Sequence, residues 1–143
     1  MSKYMYFAAE KNGQRIILGE YLPSSKVYQL FSDAAPSNLY AEITPERLIR
    51  ALRDIKSKIA ELDDTNTFQC KHLERIVQSP NVTANEKVNI ISDISCDIRK
   101  RREDINEYEA ARAFVYLLIE VADPFQNENT DIQYKLFVSP DEE

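Results

Sequence analysis

The chain has 143 residues with 18 Lys and Arg against 24 Asp and Glu, a formal charge of −6, one His, two Cys, two Gly and no Trp. Leu, Ile, Val and Phe make up roughly 27% of it, above the ~20% below which highly charged chains stay unfolded, so a packed core is expected. The acidic balance disfavours a broad nucleic-acid surface, two cysteines are too few for a disulfide scaffold, and the longest apolar run, Ala113 to Ile119, falls far short of the ~20 residues that span a bilayer.

Residues 4 to 21, YMYFAAEKNGQRIILGEY, hold two apolar and aromatic runs around Asn12-Gly13, the pair best suited to the positive φ angles of a type I′ turn. A two-residue turn there sets Glu10 opposite Arg15, Ala8 opposite Ile17, Phe7 opposite Leu18 and Tyr4 opposite Tyr21. From Ser24 to Ala35 the spacing of Val27, Leu30, Phe31 and Ala34 predicts a short helix, with a strand as the rival; Ser24 or Ser25 can cap it and Pro36 ends it. Residues 37 to 43 read as extended.

Thr44-Pro45 is a strong helix start, because Thr caps the free amides and Pro at the first helical position loses no hydrogen bond. Leu48, Leu52, Ile55, Ile59 and Leu62 then step by four and three, and the same steps continue through Asn66, Gln69, Leu73 and Ile76 to Pro80. The residues of DDTNT, 63 to 67, favour caps and turns and leave open a break near Asp64. Thr83 and Glu86 form a capping box for a second helix that runs back antiparallel. Along it Ile91, Ile98 and Ile105 repeat at seven, before the pattern broadens into the nearly all-apolar AFVYLLIEVA of residues 113 to 122, which must be covered on several sides. Asp123-Pro124 ends it. Ile132 to Val138 alternates with period two and reads as a strand pairing with the N-terminal hairpin, followed by a solvated SPDEE tail.

These elements specify an α+β fold. A small antiparallel sheet, made of the N-terminal hairpin and the C-terminal strand, accompanies a long antiparallel helical hairpin of coiled-coil type. The expected organisation is one domain over 1–143: a β-hairpin plus short helix in 1–43, the helical hairpin in 44–123 and the closing strand in 130–138.

Catalytic signatures are sparse. Cys70 and His72 stand two apart, so on a helix they diverge and do not clamp one metal. With Gly only at 13 and 19 there is no phosphate-binding loop, and paired carboxylates such as Asp63-Asp64 and Glu103-Asp104 read as hydrated helix surface. No catalytic residue, metal or cofactor is expected. The one concentrated basic feature is Arg99-Lys100-Arg101-Arg102. As a ligand site, Arg99, Arg101 and Arg102 with Tyr108 and Arg112 could hold a small anion, Arg by bidentate contacts and Tyr by stacking; alternatively the cations neutralise Asp97, Glu103 and Asp104. Asn66 and Gln69 fall on the hydrophobic seam, where they either select register and partner or mark a helix break. An antiparallel pair closing near residue 81 sets them against Asp93 to Cys96, including Ser95.

The Tyr-rich hairpin ending LGEY (18 to 21), the SS-x-x-Y segment (24 to 28), the ITPERL start (43 to 48), the charged helical hairpin and the closing IQYKLFV strand together resemble small proteins encoded by phages and prophages of Gram-positive bacteria. The resemblance implies an accessory factor that binds a host protein and inhibits a defence system, in the host cytoplasm; no functional residue carries over. Apolar positions off the seam, such as Ile49, Val77, Ile90 and Tyr116, predict self-association into a homo-oligomer. The expected function is therefore a non-catalytic binding protein without membrane or nucleic-acid partners. The alternative is an oligomer that sequesters a nucleotide or another small anionic ligand.

Overall fold

The computed structural model describes residues 4–22, 24–31, 40–122 and 131–138. The expected end of the first helix at Pro36, the extended segment at 37–39, the Asp123-Pro124 stop, the first residue of the closing strand and the SPDEE tail lie outside them. In chain order the elements are β1 (Met5–Lys11), β2 (Gln14–Tyr21), α1 (Ser25–Leu30), β3 (Ala41–Ile43), α2 (Pro45–Gln78), α3 (Ala84–Ala122) and β4 (Gln133–Val138). They form two compact bodies, Met1–Ile55 with Ala110–Glu143 and Lys56–Glu109.

The first body carries an antiparallel four-stranded sheet in the order β2-β1-β4-β3. Asn12 and Gly13 take φ angles of 54° and 79°, the left-handed pair a type I′ turn requires. The turn pairs Glu10 with Arg15 and Ala8 with Ile17 as expected, and then the register slips: Phe7 faces Gly19 rather than Leu18, and Tyr21 faces Met5 rather than Tyr4. Leu18 is the extra residue of a β-bulge, a non-local adjustment that turn chemistry does not encode. Tyr21 consequently packs edge-on against Phe114 of α3, ring centroids 5.2 Å apart, instead of closing the hairpin with a second tyrosine. Gly19 leaves room for that ring, since a Cβ there would lie 2.8 Å from Tyr21 Cε2.

Strand β4 pairs with β1, placing Leu136 beside Phe7 and Val138 beside Met5, and the short extended stretch Ala41–Ile43 joins as the far edge of the sheet. One face of the sheet is the core side: Met5, Phe7, Ala41, Ile43, Leu136 and Val138 are buried together with Val27 and Phe31, with Leu48, Ala51 and Ile55 of α2, and with Ala111, Val115 and Leu118 of α3. Helix α2 begins where Thr44 caps it, the Arg47 amide donating to Thr44 Oγ1 at 3.1 Å. The Arg47 side chain reaches back to the Leu30 carbonyl at 3.4 Å, meeting an orphan acceptor at the end of α1, and lies over the Phe31 ring.

On the opposite face of the sheet, Tyr6 stacks on Phe137 at 5.6 Å with the Arg15 guanidinium over the same ring. Glu10 accepts from Arg15 at 2.6 Å and from Lys135 at 2.7 Å. The Lys135 and Arg15 hydrogen bonds hold the Glu10 carboxyl below its ordinary value of 4.5. A carboxylate depressed on folding stabilises the native state above its unfolded pKa, and that stabilisation is lost as pH falls through the folded value. Glu10→Gln should therefore be less stable than wild type at neutral pH, by no more than about 1 kcal/mol, and the gap should close in the acid range. Thermal melts at about pH 7, 5, 3 and 2 check this; a gap of constant size down to the lowest pH would refute it.

In the second body α2 and α3 pack as an antiparallel hairpin. The capping box forms as read: the Glu86 amide donates to Thr83 Oγ1 at 3.2 Å and the Thr83 amide to Glu86 Oε1 at 3.4 Å. Lys87 Nζ donates to the Val77 carbonyl at 3.0 Å, tying the two helix ends across the turn. Helix α2 passes through residues 63–67 without a break. The competing polar groups are absorbed locally, Thr65 Oγ1 donating back to the Glu61 carbonyl at 3.1 Å and Asn66 turning into the seam.

Candidate functional site

Each body presents one arrangement that surface chemistry alone does not explain. In the sheet body it is a groove of about 490 Å3 bounded by the end of β2, the start of α1 and one side of α3. Its lining is mostly apolar: Tyr21 and Leu22 from the strand end, Val27 from α1, and Ala110, Ala113, Phe114 and Leu117 from α3. The volume falls within the range of ligand and peptide pockets.

The groove exists because α3 is apolar on two sides here. Ala111, Val115 and Leu118 face the core and are fully buried. The row Ala110, Ala113, Phe114 and Leu117 lies beside them at helical spacing, with Leu117 38% exposed, and beyond it Val121 and Tyr116 remain 41% and 54% exposed. The expectation that AFVYLLIEVA needs cover on several sides is thus met fully on the core side and only in part on the second, where Tyr21 packs on Phe114.

Two polar groups mark the groove. Burial pushes the Tyr21 phenol up, keeping it a neutral hydroxyl at physiological pH. Ser24 occupies the N-cap position of α1, but its side chain makes no cap bond. Its Oγ is shut off from solvent without a hydrogen-bond partner among the described residues. An orphaned buried hydroxyl costs about 1–3 kcal/mol, a cost that a polar atom brought into the groove would relieve once the Ser24 side chain turned toward it.

In the hairpin body the arrangement is a polar layer across the seam. Asn66, only 6% exposed, donates from Nδ2 to the Ile98 carbonyl at 3.4 Å and accepts from Arg101 Nη1 at 3.3 Å. The same Arg101 nitrogen donates to Gln69 Oε1. The expected partners were Asp93 to Cys96, and the structure moves the layer about one turn along α3. Arg101 is the reason: a helical side chain leans toward its own N-terminus, so this guanidinium covers the turn around Ile98 and meets Asn66 there. Arg101 therefore belongs to the layer with Asn66 and Gln69, a role that reading it with its basic neighbours missed. The signal was present, because counting three on from Ile98 in the Ile91, Ile98, Ile105 repeat puts Arg101 on the seam.

None of the remaining residues of the basic site lines the groove of the sheet body. Arg99, Lys100 and Arg102 are exposed and make no ion pair or hydrogen bond among the described residues, so they do not neutralise Asp97, Glu103 or Asp104. Tyr108 and Arg112 are half-buried, each with a partner of its own, and Arg112 belongs to the sheet body. His72 and Cys70 are exposed on α2, and Cys96 is half-buried on α3. No helix of the described residues is long and apolar enough to cross a membrane. No family model matches the chain, and neither a curated protein nor a solved structure is significantly similar to it.

Proposed function

We propose that the protein is a non-catalytic binding protein that works through protein contacts, with the α3 groove of the sheet body as its docking site for a host protein. The observation that carries this reading is the second apolar side of α3, open beside the end of an edge strand and furnished with one unsatisfied hydroxyl. A partner segment presenting an apolar side chain and a neighbouring polar atom complements both features, in the manner of helix-in-groove and strand-edge recognition.

The test is a cross-linkable side chain installed at Tyr116 and a pull-down from the producing cell, in wild type and in a Leu117→Glu variant. Wild type is expected to yield one specific cross-linked protein, and Leu117→Glu to reduce its yield about tenfold or more, because a carboxylate in a desolvated contact costs several kcal/mol. Failure of folded wild type to cross-link any specific partner overturns the reading. A second reading, sequestration of a nucleotide or other small anion, has in its favour the unpaired cations Arg99, Lys100 and Arg102. Saturable heat on titration with nucleotides, lost on replacing those cations, would favour it instead.

A further inference from the structure

The hairpin of Lys56–Glu109 has a flank that the two helices do not use on each other. Asn66 and Ile98 sit at equivalent seam positions on α2 and α3, and the hydrogen bond between them sets the level of one helix against the other. The residues that follow the seam on the same side then fall into pairs along the hairpin. Counting out from that hydrogen bond along the two antiparallel helices puts Val77, 53% exposed, level with Val88, 65% exposed, near the turn, and Cys70 level with Ser95. Farther from the turn the same count puts Asp63 level with Arg102, and Lys56 with Glu109. Such flanking positions set partner choice and orientation in packed helices.

This flank is apolar near the turn, small in the middle and oppositely charged from one helix to the other. Asp63 and Arg102 are exposed and make no ion pair within the chain among the described residues. Meanwhile the seam itself is poorly covered: Ile59, Leu62, Ile94 and Ile105 are only half-buried, as one facing helix leaves them.

We propose that this flank docks a second copy of the chain about a two-fold axis parallel to the helices, giving a four-helix bundle. That operation sets α3 of each copy against α2 of the other at the same level. Each Asp63 then faces an Arg102 across the interface, each Val77 faces a Val88, and Cys70 meets Ser95 where small side chains allow close approach. The charge pattern is what commits the site to a second copy, because an isologous contact requires every cation to find the matching anion on the same surface. The seam isoleucines gain the missing neighbours. This inference rests on the reading of the protein as one that works by protein contacts, and it concerns a surface separate from the α3 groove.

Sedimentation of the full chain tests it, in wild type, Asp63→Arg, Arg102→Glu and the double variant, with helical circular dichroism confirming that each is folded. Wild type should be a dimer. Each single charge reversal sets like charges together at both symmetric contacts and should weaken dimerisation about tenfold or more. The double variant should dimerise again, and so should an equimolar mixture of the two single variants, since in the mixed pair one contact keeps the original charges and the other carries them exchanged. A monomeric wild type, single variants that dimerise as tightly as wild type, or a mixture and a double variant that stay monomeric would each overturn the proposal. A monomer that still cross-links a specific partner through Tyr116 overturns the flank alone and leaves the groove reading standing.

Discussion

Replacing Phe7 with Ala is expected to destabilise the protein by about 3–5 kcal/mol, the usual loss when a large aromatic is removed from a fully packed core. Phe7 has no exposed surface, stacks on Tyr134 with ring centroids 5.9 Å apart, and stands between Gly19 and Leu136 in the sheet. Gly19 has no side chain of its own to move into the space, and the Tyr21 ring that lies over it is held edge-on against Phe114. The total stability of an ordinary domain is only about 5–15 kcal/mol, so the variant should be substantially unfolded near physiological temperature. Denaturant unfolding followed by circular dichroism measures this, and a loss below about 1 kcal/mol would show that the sheet core is not organised around this ring.

The second large effect concerns the polar layer and has the opposite sign. Replacing Asn66, Gln69 and Arg101 together with Leu should raise the stability of the hairpin, by up to about 1–4 kcal/mol, because a half-buried cation held by neutral amides is weaker than packed hydrocarbon. Replacing Asn66 alone should lower stability by about 1–3 kcal/mol, since the Arg101 guanidinium loses one of its two acceptors while staying in the seam. The gain in the triple variant should come with a loss of specificity, as one polar layer admits one alignment of the helices and an all-leucine seam admits several. Thermal melts read the stability, and sedimentation reads the number of assembly states. A triple variant less stable than wild type would mean that the layer supports the hairpin rather than aligning it.

Much of the architecture is legible in short windows of sequence because its causes are short-range. Asn12-Gly13, the Thr44-Pro45 cap and the Thr83/Glu86 box each need only neighbouring residues, and each forms as read. The four-three steps of α2 and the alternation of Ile132 to Val138 survive because burying one face of a helix or strand imposes a period on the chain itself. The candidate groove was only half visible. The excess apolar surface of residues 113 to 122 was apparent, but its position beside Tyr21 and Ser24 was not, since these groups are remote in the chain.

The sequence by itself determined the N-terminal hairpin and its turn, the closing strand, the starts of both long helices and the seam along which they meet, all through local conformational preference and hydrophobic period. Tertiary structure decided the rest: the bulge at Leu18 that turns Tyr21 toward Phe114, the recruitment of Ala41–Ile43 as an edge strand, the continuity of α2 through DDTNT, and the withdrawal of Arg101 from its basic run into the layer with Asn66 and Gln69. In each of these at least one group, Asn66 in the case of DDTNT, meets a partner far along the chain. The energy of that contact outweighs a local preference of a few tenths of a kcal/mol to about 1 kcal/mol per residue, a comparison that becomes possible only once the fold has brought the two together.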